Sequence, residues 1–230
     1  MKKKVAIVGA GFFGLTAALF LNKKHNVIIY EKTSDILNQS SKVNQLRFHF
    51  GYHYPRSRKT VKEIKKNAPE FMNFYKKKNI FGKTINYYGI ARHHSKITFD
   101  EFKKFLKKEK LFSKKNDKFF PKKFVSGSII SREKNLNYFK FKKYLKYLIK
   151  KHRIKIKFKT QLSFKDLKKY DKIILTAYSS NSSILKSLKQ PYNISRKYEL
   201  VEKTLIQLPK LFKNRSFIIL DGKFLNIDPF

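Results

Sequence analysis

The tightest constraint on this chain is its opening unit, built round Gly9-Ala10-Gly11-Phe12-Phe13-Gly14. Four β-formers, Val5-Ala6-Ile7-Val8, run into the loop, and a small-residue helix pattern, Leu15-Thr16-Ala17-Ala18-Leu19-Phe20-Leu21, runs out of it. A second β run, Val27-Ile28-Ile29-Tyr30, then ends on Glu31. Gly9 permits a tight turn out of the strand, Gly11 presents no Cβ to an approaching pyrophosphate, and Gly14 lets the helix lie close on the sheet. N–H groups at the helix start face the diphosphate, and the helix dipole favours its charge. Glu31 stands 17 residues beyond Gly14, where a carboxylate can bind a ribose diol and would repel a 2′-phosphate. The unit therefore predicts a dinucleotide site that favours ADP-ribose over its phosphorylated form.

A leader or anchor competes for the same residues. Met1-Lys2-Lys3-Lys4 and the uncharged stretch to Asn22 resemble a signal peptide or membrane anchor. Three glycines in six residues make a poor membrane helix, the stretch is short for a span, and the Val27–Glu31 strand is left unexplained. No transmembrane segment is expected, and a cytoplasmic location is the default. Cysteine is absent, which excludes disulfides, thiolate metal sites and cysteine nucleophiles. His93-His94 lacks metal-ligand spacing and reads as surface, so no metal site is expected.

The net charge of +40, from 55 Lys+Arg against 15 Asp+Glu, would ordinarily suggest a nucleic-acid or anionic membrane partner. Only eight of the 55 are arginine, the usual reader of phosphates and bases. The lysines are spread along the whole chain and read as a solvated surface, so no specific nucleic acid is expected. Nonspecific polyanion binding at low salt follows from charge alone. At 230 residues and 41% hydrophobic, with 23 Phe, the chain can bury a phenylalanine-rich core in one large domain or two small ones.

Thr33–Val43 reads as a polar loop. Ser57–Lys78 reads as helix, with Val61, Ile64, Ala68, Phe71 and Tyr75 at helical spacing. Pro69 is expected to split it or to start a second helix. Thr84–Arg92 and Val125–Arg132 read as strands, and Thr98-x-x-Glu101 as a capping box before Phe102, Phe105 and Leu106. Lys107–Phe124 is lysine-rich and reads as a solvated connection. Asn137–Lys151 reads as a helix, and Ile154, Ile156 and Phe158 as a short strand. Ser163-x-x-Asp166 caps a further turn, and Asp171–Ala177 reads as a buried strand. Arg196–Leu208 alternates like a long strand, and Ser216–Leu220 like another.

One segment fits no simple element. Asn44-Gln45-Leu46-Arg47-Phe48-His49-Phe50-Gly51-Tyr52-His53-Tyr54-Pro55-Arg56 gathers two histidines, two tyrosines and two arginines about one glycine. It reads either as packed rings in a structural loop or as a loop facing a substrate or flavin, with Gly51 allowing close backbone approach.

The opening unit together with Asn44-Gln45-x-Arg47-x-His49-x-Gly51-Tyr52-His53-Tyr54-Pro55 resembles the D-amino-acid-oxidase-like (DAO) family of FAD-dependent oxidoreductases. The resemblance implies FAD as cofactor. It implies ring-proximal places for His49 and Gly51, and pocket places for Arg47, Tyr52, His53 and Tyr54. The cofactor-binding set it implies is Gly9, Ala10, Gly11, Phe12, Phe13, Gly14, Glu31, Lys32, Asn44, Gly51 and Ala177; the catalytic set is His49, His53 and Arg47. Tyr170–Ala177 resembles the family's strand that returns beneath the cofactor. That strand often ends on Ala-Thr-Gly, where this chain has Thr176-Ala177-Tyr178.

The expected fold is α/β: a Rossmann-like FAD/NAD(P)-binding domain, three-layered with a mostly parallel sheet, joined to a partial antiparallel-sheet substrate domain. Residues 1–80 and 136–190 are expected to form the first and residues 81–135 and 191–230 the second. The expected function is oxidation of a small amino- or hydroxy-acid-like substrate by hydride transfer to flavin, with Arg47 or Arg56 holding a carboxylate and His49 or His53 acting as base. An NAD-dependent dehydrogenase and a non-catalytic dinucleotide- or polyanion-binding remnant are the alternatives. Family members continue well past this length, so a truncated form, split gene or fragment is expected. A carboxyl-terminal segment from a neighbouring chain is then an expected partner. Apolar strand edges near Phe217–Phe230 are expected to be unpaired.

Overall fold

A computed structural model of the chain describes residues 1–75, 78–190, 197, 199–222 and 224–229. In chain order its elements are β1 (Lys4–Val8), α1 (Phe12–Leu21), β2 (Asn26–Tyr30), β3 (Arg47–Phe48), α2 (Arg58–Tyr75), β4 (Ile85–Ala91) and α3 (Phe99–Lys108). There follow β5 (Lys114–Lys115), β6 (Val125–Ser131), β7 (Lys134–Asn135), α4 (Tyr138–Lys151), β8 (Lys155–Lys157), β9 (Lys172–Leu175), α5 (Asn181–Ser187), β10 (Arg215–Leu220) and β11 (Leu225–Ile227). Packing divides the chain into two units. One comprises Met1–Asn44 and Phe141–Leu205, the other Gln45–Lys140 and Ile206–Phe230. By packing, 45–80 thus goes with the second unit.

The first unit carries a parallel four-stranded sheet in the order β8-β2-β1-β9. β1 lies between two neighbours, and its Val5, Ala6, Ile7 and Val8 are all buried. That is why it reads as an uninterrupted apolar run rather than an alternation. β9 was expected to be buried but forms the sheet edge, and its Ile173, Ile174 and Leu175 are only half-buried. The 33–43 loop is less polar than its sequence suggests. Ile36 and Leu37 are buried at its centre, and Leu37 N–H donates to Ala10 C=O.

The second unit carries a five-stranded sheet in the order β11-β10-β4-β6-β5. Three of its four pairings are antiparallel, and β4 with β10 is parallel. One core gathers Tyr52, Tyr88, Ile90, Phe102, Leu106, Ile129, Ile218 and Leu220, so Phe102 and Leu106 of α3 do face inward. The capping box is formed: Glu101 N–H donates to Thr98 Oγ1, and Thr98 N–H donates to Glu101 Oε2.

Pro69 does not split α2, which runs unbroken through it. The apolar stripe Val61, Ile64, Ala68, Phe71 and Tyr75 faces inward across the proline, while Pro69 and Lys65 lie on the exposed side. The lost hydrogen bond therefore falls where water can replace it. Residues 199–208 hold no strand, against the expected Arg196–Leu208; Arg196 and Tyr198 lie outside the described residues. Phe217 is not at an open edge, since β10 bonds β4 on one side and β11 on the other, whereas β11 (Leu225–Ile227) is the outermost strand of the sheet; Phe230 lies outside the described residues. Among the described residues no helix is long and apolar enough to cross a membrane.

Candidate functional site

In the first unit the glycine loop joins β1 to α1, and Thr176 locks it from below. Thr176 Oγ1 lies 2.9 Å from Val8 C=O and 3.1 Å from Gly9 C=O. Gly9 takes φ 106, and a Cβ there would lie 3.0 Å from Thr176 C=O. A Cβ at Gly14 would stand 1.9 Å from the Gly9 carbonyl oxygen, so helix and loop touch at this position. A Cβ at Gly11 would meet only the Ser41 hydroxyl, at 3.3 Å. Gly9 and Gly14 are thus demanded by the loop's own packing, whereas Gly11 leaves space in front of the helix start.

The N–H groups there divide into taken and free. Ala10 N–H donates to Glu31 Oε2 at 2.7 Å, and Phe12 N–H to Ser41 Oγ at 3.0 Å. The N–H groups of Gly11 and Phe13 have no acceptor among the described residues. Two unpaired donors on a Cβ-free loop at a helix N-terminus fit a diphosphate. Glu31 is buried; its Oε1 accepts from Thr33 N–H at 2.8 Å, and its Oε2, with one bond taken, keeps a lone pair for a hydroxyl. These residues fit the ADP half of FAD.

The other expected cofactor residues sit at varied depth. Phe13 is three-quarters exposed at the helix start, while Lys32 and Asn44 are exposed. Ala177 is half-buried, and its N–H donates to Asn181 Oδ1 at 2.9 Å. Tyr178 is exposed and takes φ 53, the left-handed conformation that glycine adopts without strain.

The second unit gathers most of the polar rings of the 44–56 segment. Arg47, on β3, is enclosed, with its side chain 1% exposed. Its Nη2 bonds Ser216 Oγ at 2.6 Å, Asn226 Oδ1 at 3.2 Å and Asp228 Oδ1; its Nη1 bonds Asn86 Oδ1 and Tyr88 OH, each at 3.3 Å. A guanidinium so committed ties β3 to β4, β10 and β11. Arg56 differs: its side chain is half-exposed, its Nε is fixed on Asp221 at 2.6 Å, and its Nη groups have no partner among the described residues. Arg56 is therefore the guanidinium a ligand can reach.

His49, His53 and Tyr54 form a ring cluster with centroids 5.4–5.7 Å apart. His53 stacks on Phe224 at 6.4 Å, and its buried Nδ1 has no partner among the described residues. Burial, and then the neighbouring His49, hold its imidazole below the ordinary histidine value, so it stays neutral. His53, Tyr54, Arg56, Leu220, Asp221 and Phe224 line a cavity of about 320 Å³. Gly51 is buried with φ 113, and a Cβ on it would press on Val61 of α2 at 3.1 Å. Its freedom here serves the chain's own turn. Tyr52 is buried and donates to Phe112 C=O at 2.7 Å. His93 and His94 are exposed, and no group of residues able to hold a metal occurs among the described ones.

Sequence reasoning missed Glu133 and gave Asp221 and Asp228 no role. The signal available was scarcity: with 15 acids in 230 residues, each acid is worth asking about. Glu133 follows β6, and its side chain is 0% exposed.

A family model described as FAD dependent oxidoreductase, DAO, matches residues 4–191. Among solved structures the chain is similar to L-proline dehydrogenase from P. horikoshii, with TM-score 0.58 and 14% identity over 84% of this chain and 57% of that one. It is also similar to glycine oxidase from Geobacillus kaustophilus, with TM-score 0.51 and 14% identity over 70% and 48%. A third is dithionite-reduced L-α-glycerophosphate oxidase from Mycoplasma pneumoniae with FAD bound, with TM-score 0.54 and 15% identity over 70% and 46%. At such identities the likeness is one of fold. The chain spans about half the length of these structures. No curated protein sequence matches it.

Proposed function

The chain belongs to the DAO family of FAD-dependent oxidoreductases, and on that premise we propose that it binds FAD and oxidises a small amino- or hydroxy-acid-like substrate. FAD is the family's cofactor; when bound, it accepts a hydride from a carbon bearing an amine or hydroxyl. The observation that carries the proposal is the Gly11 opening, with two free N–H donors on one side and the Glu31 carboxylate behind. Gly11 and Phe13 N–H hold the diphosphate, and Glu31 takes the ribose diol.

In the second unit, Arg56 holds the substrate carboxylate through its free Nη groups. His49 takes the proton from the substrate's amine or hydroxyl, and His53, kept neutral, stands beside it. Arg47 holds the strands that carry these groups. By function, residues 1–80 and 136–190 serve the cofactor, with the 44–56 segment also reaching the substrate, and residues 81–135 and 191–230 serve the substrate.

The visible spectrum of the purified chain tests this first. Flavin absorption that bleaches anaerobically with a member of a panel of small amino and hydroxy acids is expected. A chain that takes up no FAD overturns the proposal.

A further inference from the structure

We propose that Glu133 is the positioning residue for His49: it fixes the imidazole proton on Nδ1 and leaves Nε2 as the ring atom that accepts. The inference rests on the reading of His49 as the base.

Backbone register brings the two residues together. β3 and β7 pair antiparallel, with Arg47 opposite Asn135 and Phe48 opposite Lys134. One step further along the same register sets His49 opposite Glu133. Glu133 Oε1 lies 3.4 Å from His49 Nδ1 and accepts from Phe50 N–H at 3.0 Å. Its Oε2 accepts the Tyr88 phenol and lies 3.6 Å from Arg47 Nη1.

The carboxyl is held as an anion. Burial pushes it up, but the hydrogen bond from His49 and, when that ring is protonated, its charge, together with the Tyr88 hydrogen bond and the Arg47 charge, outweigh burial and hold it below the usual glutamate range. Burial holds the Tyr88 phenol well above its ordinary value, so Tyr88 remains a neutral donor. An ionised carboxylate only accepts hydrogen bonds, so the ring nitrogen facing it must carry the hydrogen. A neutral imidazole has one N–H, so Nε2 keeps its lone pair. Nε2 has no partner among the described residues, and the His49 side chain is 25% exposed.

Glu133 is not merely the counter-ion of Arg47. Arg47 has a closer carboxylate in Asp228, which Ser216 and Asn135 also hold, at 2.7 and 3.1 Å. The groups facing His49 are Glu133, His53 and Tyr54, with Arg47 behind Glu133.

The test is the tautomer of His49 in the full chain, read by long-range proton–nitrogen spectra of ¹⁵N-histidine-labelled protein and assigned by the loss of its signals in His49→Gln. The Nδ1–H form is expected, and the Nε2–H form, which free histidine prefers, overturns the proposal. Glu133→Asp keeps a charge beside Arg47 but draws the carboxylate back, and should move His49 towards Nε2–H. An unchanged tautomer in that variant also overturns the proposal, and if the variant does not fold the wild-type spectrum decides. Flavin bleaching by substrate that persists in His49→Gln, alongside an Nδ1–H wild type, would sink the base reading and leave the pair standing.

Discussion

A Cβ at Gly14 would lie 1.9 Å from the Gly9 carbonyl oxygen, whereas one at Gly11 would meet only a serine hydroxyl at 3.3 Å. Gly14→Ala is therefore expected to destabilise the chain by roughly 1–3 kcal/mol, the scale of overpacking. Gly11→Val should leave the melting temperature nearly unchanged and abolish FAD uptake. Equal flavin content in Gly11→Val and wild type would refute the site. Glu31→Ala should weaken FAD binding by about 1.5–3 kcal/mol, the scale of a charge-assisted hydrogen bond, as measured by calorimetric titration. His53 supplies a pH test. It titrates near ~6.5 in the unfolded chain and lower in the folded one. As pH falls through that value the unfolded chain takes up a proton that the folded chain refuses, so stability drops with acid until the folded group titrates. Wild type should therefore lose stability relative to His53→Gln below about pH 6.5, and parallel stability curves would contradict this. The glycine loop and Glu31 were legible because one local βαβ unit brings them together. Glu133 was not, because its meeting with His49 depends on the register of two short strands more than 80 residues apart.

Periodicity found α2, α3 and α4, each of which buries one face; the strands at 85–91 and 125–131 read as β-former runs and are buried at most of their positions. It failed where context decides. β9 reads as a buried run of Ile-Ile-Leu but lies at a sheet edge, and no residue pattern says which strands lie outermost. Pro69 broke a local rule at a position where α2 faces water. After β9, Tyr178 occupies a left-handed position in the Thr176-Ala177-Tyr178 turn. Tyr178→Gly is expected to raise stability by up to about 1 kcal/mol by relieving that backbone; a lower melting temperature would show that the exposed ring is held in place for another reason.

For the chain as a whole, the +40 charge and the cofactor site make separate demands. Nonspecific duplex DNA should bind at low salt and be released as salt rises from roughly 50 to 200 mM, because spread lysines act by counterion release. That DNA should not displace bound FAD, since the site is a glycine loop backed by a carboxylate rather than a lysine patch. On the function proposed above, the first unit holds the ADP half of a flavin dinucleotide. Equilibrium dialysis of the chain against FAD and against FMN, which lacks that half, tests it most directly. One FAD per chain with much weaker FMN binding is the expected result, and no FAD binding, or FMN bound equally well, would contradict the claim.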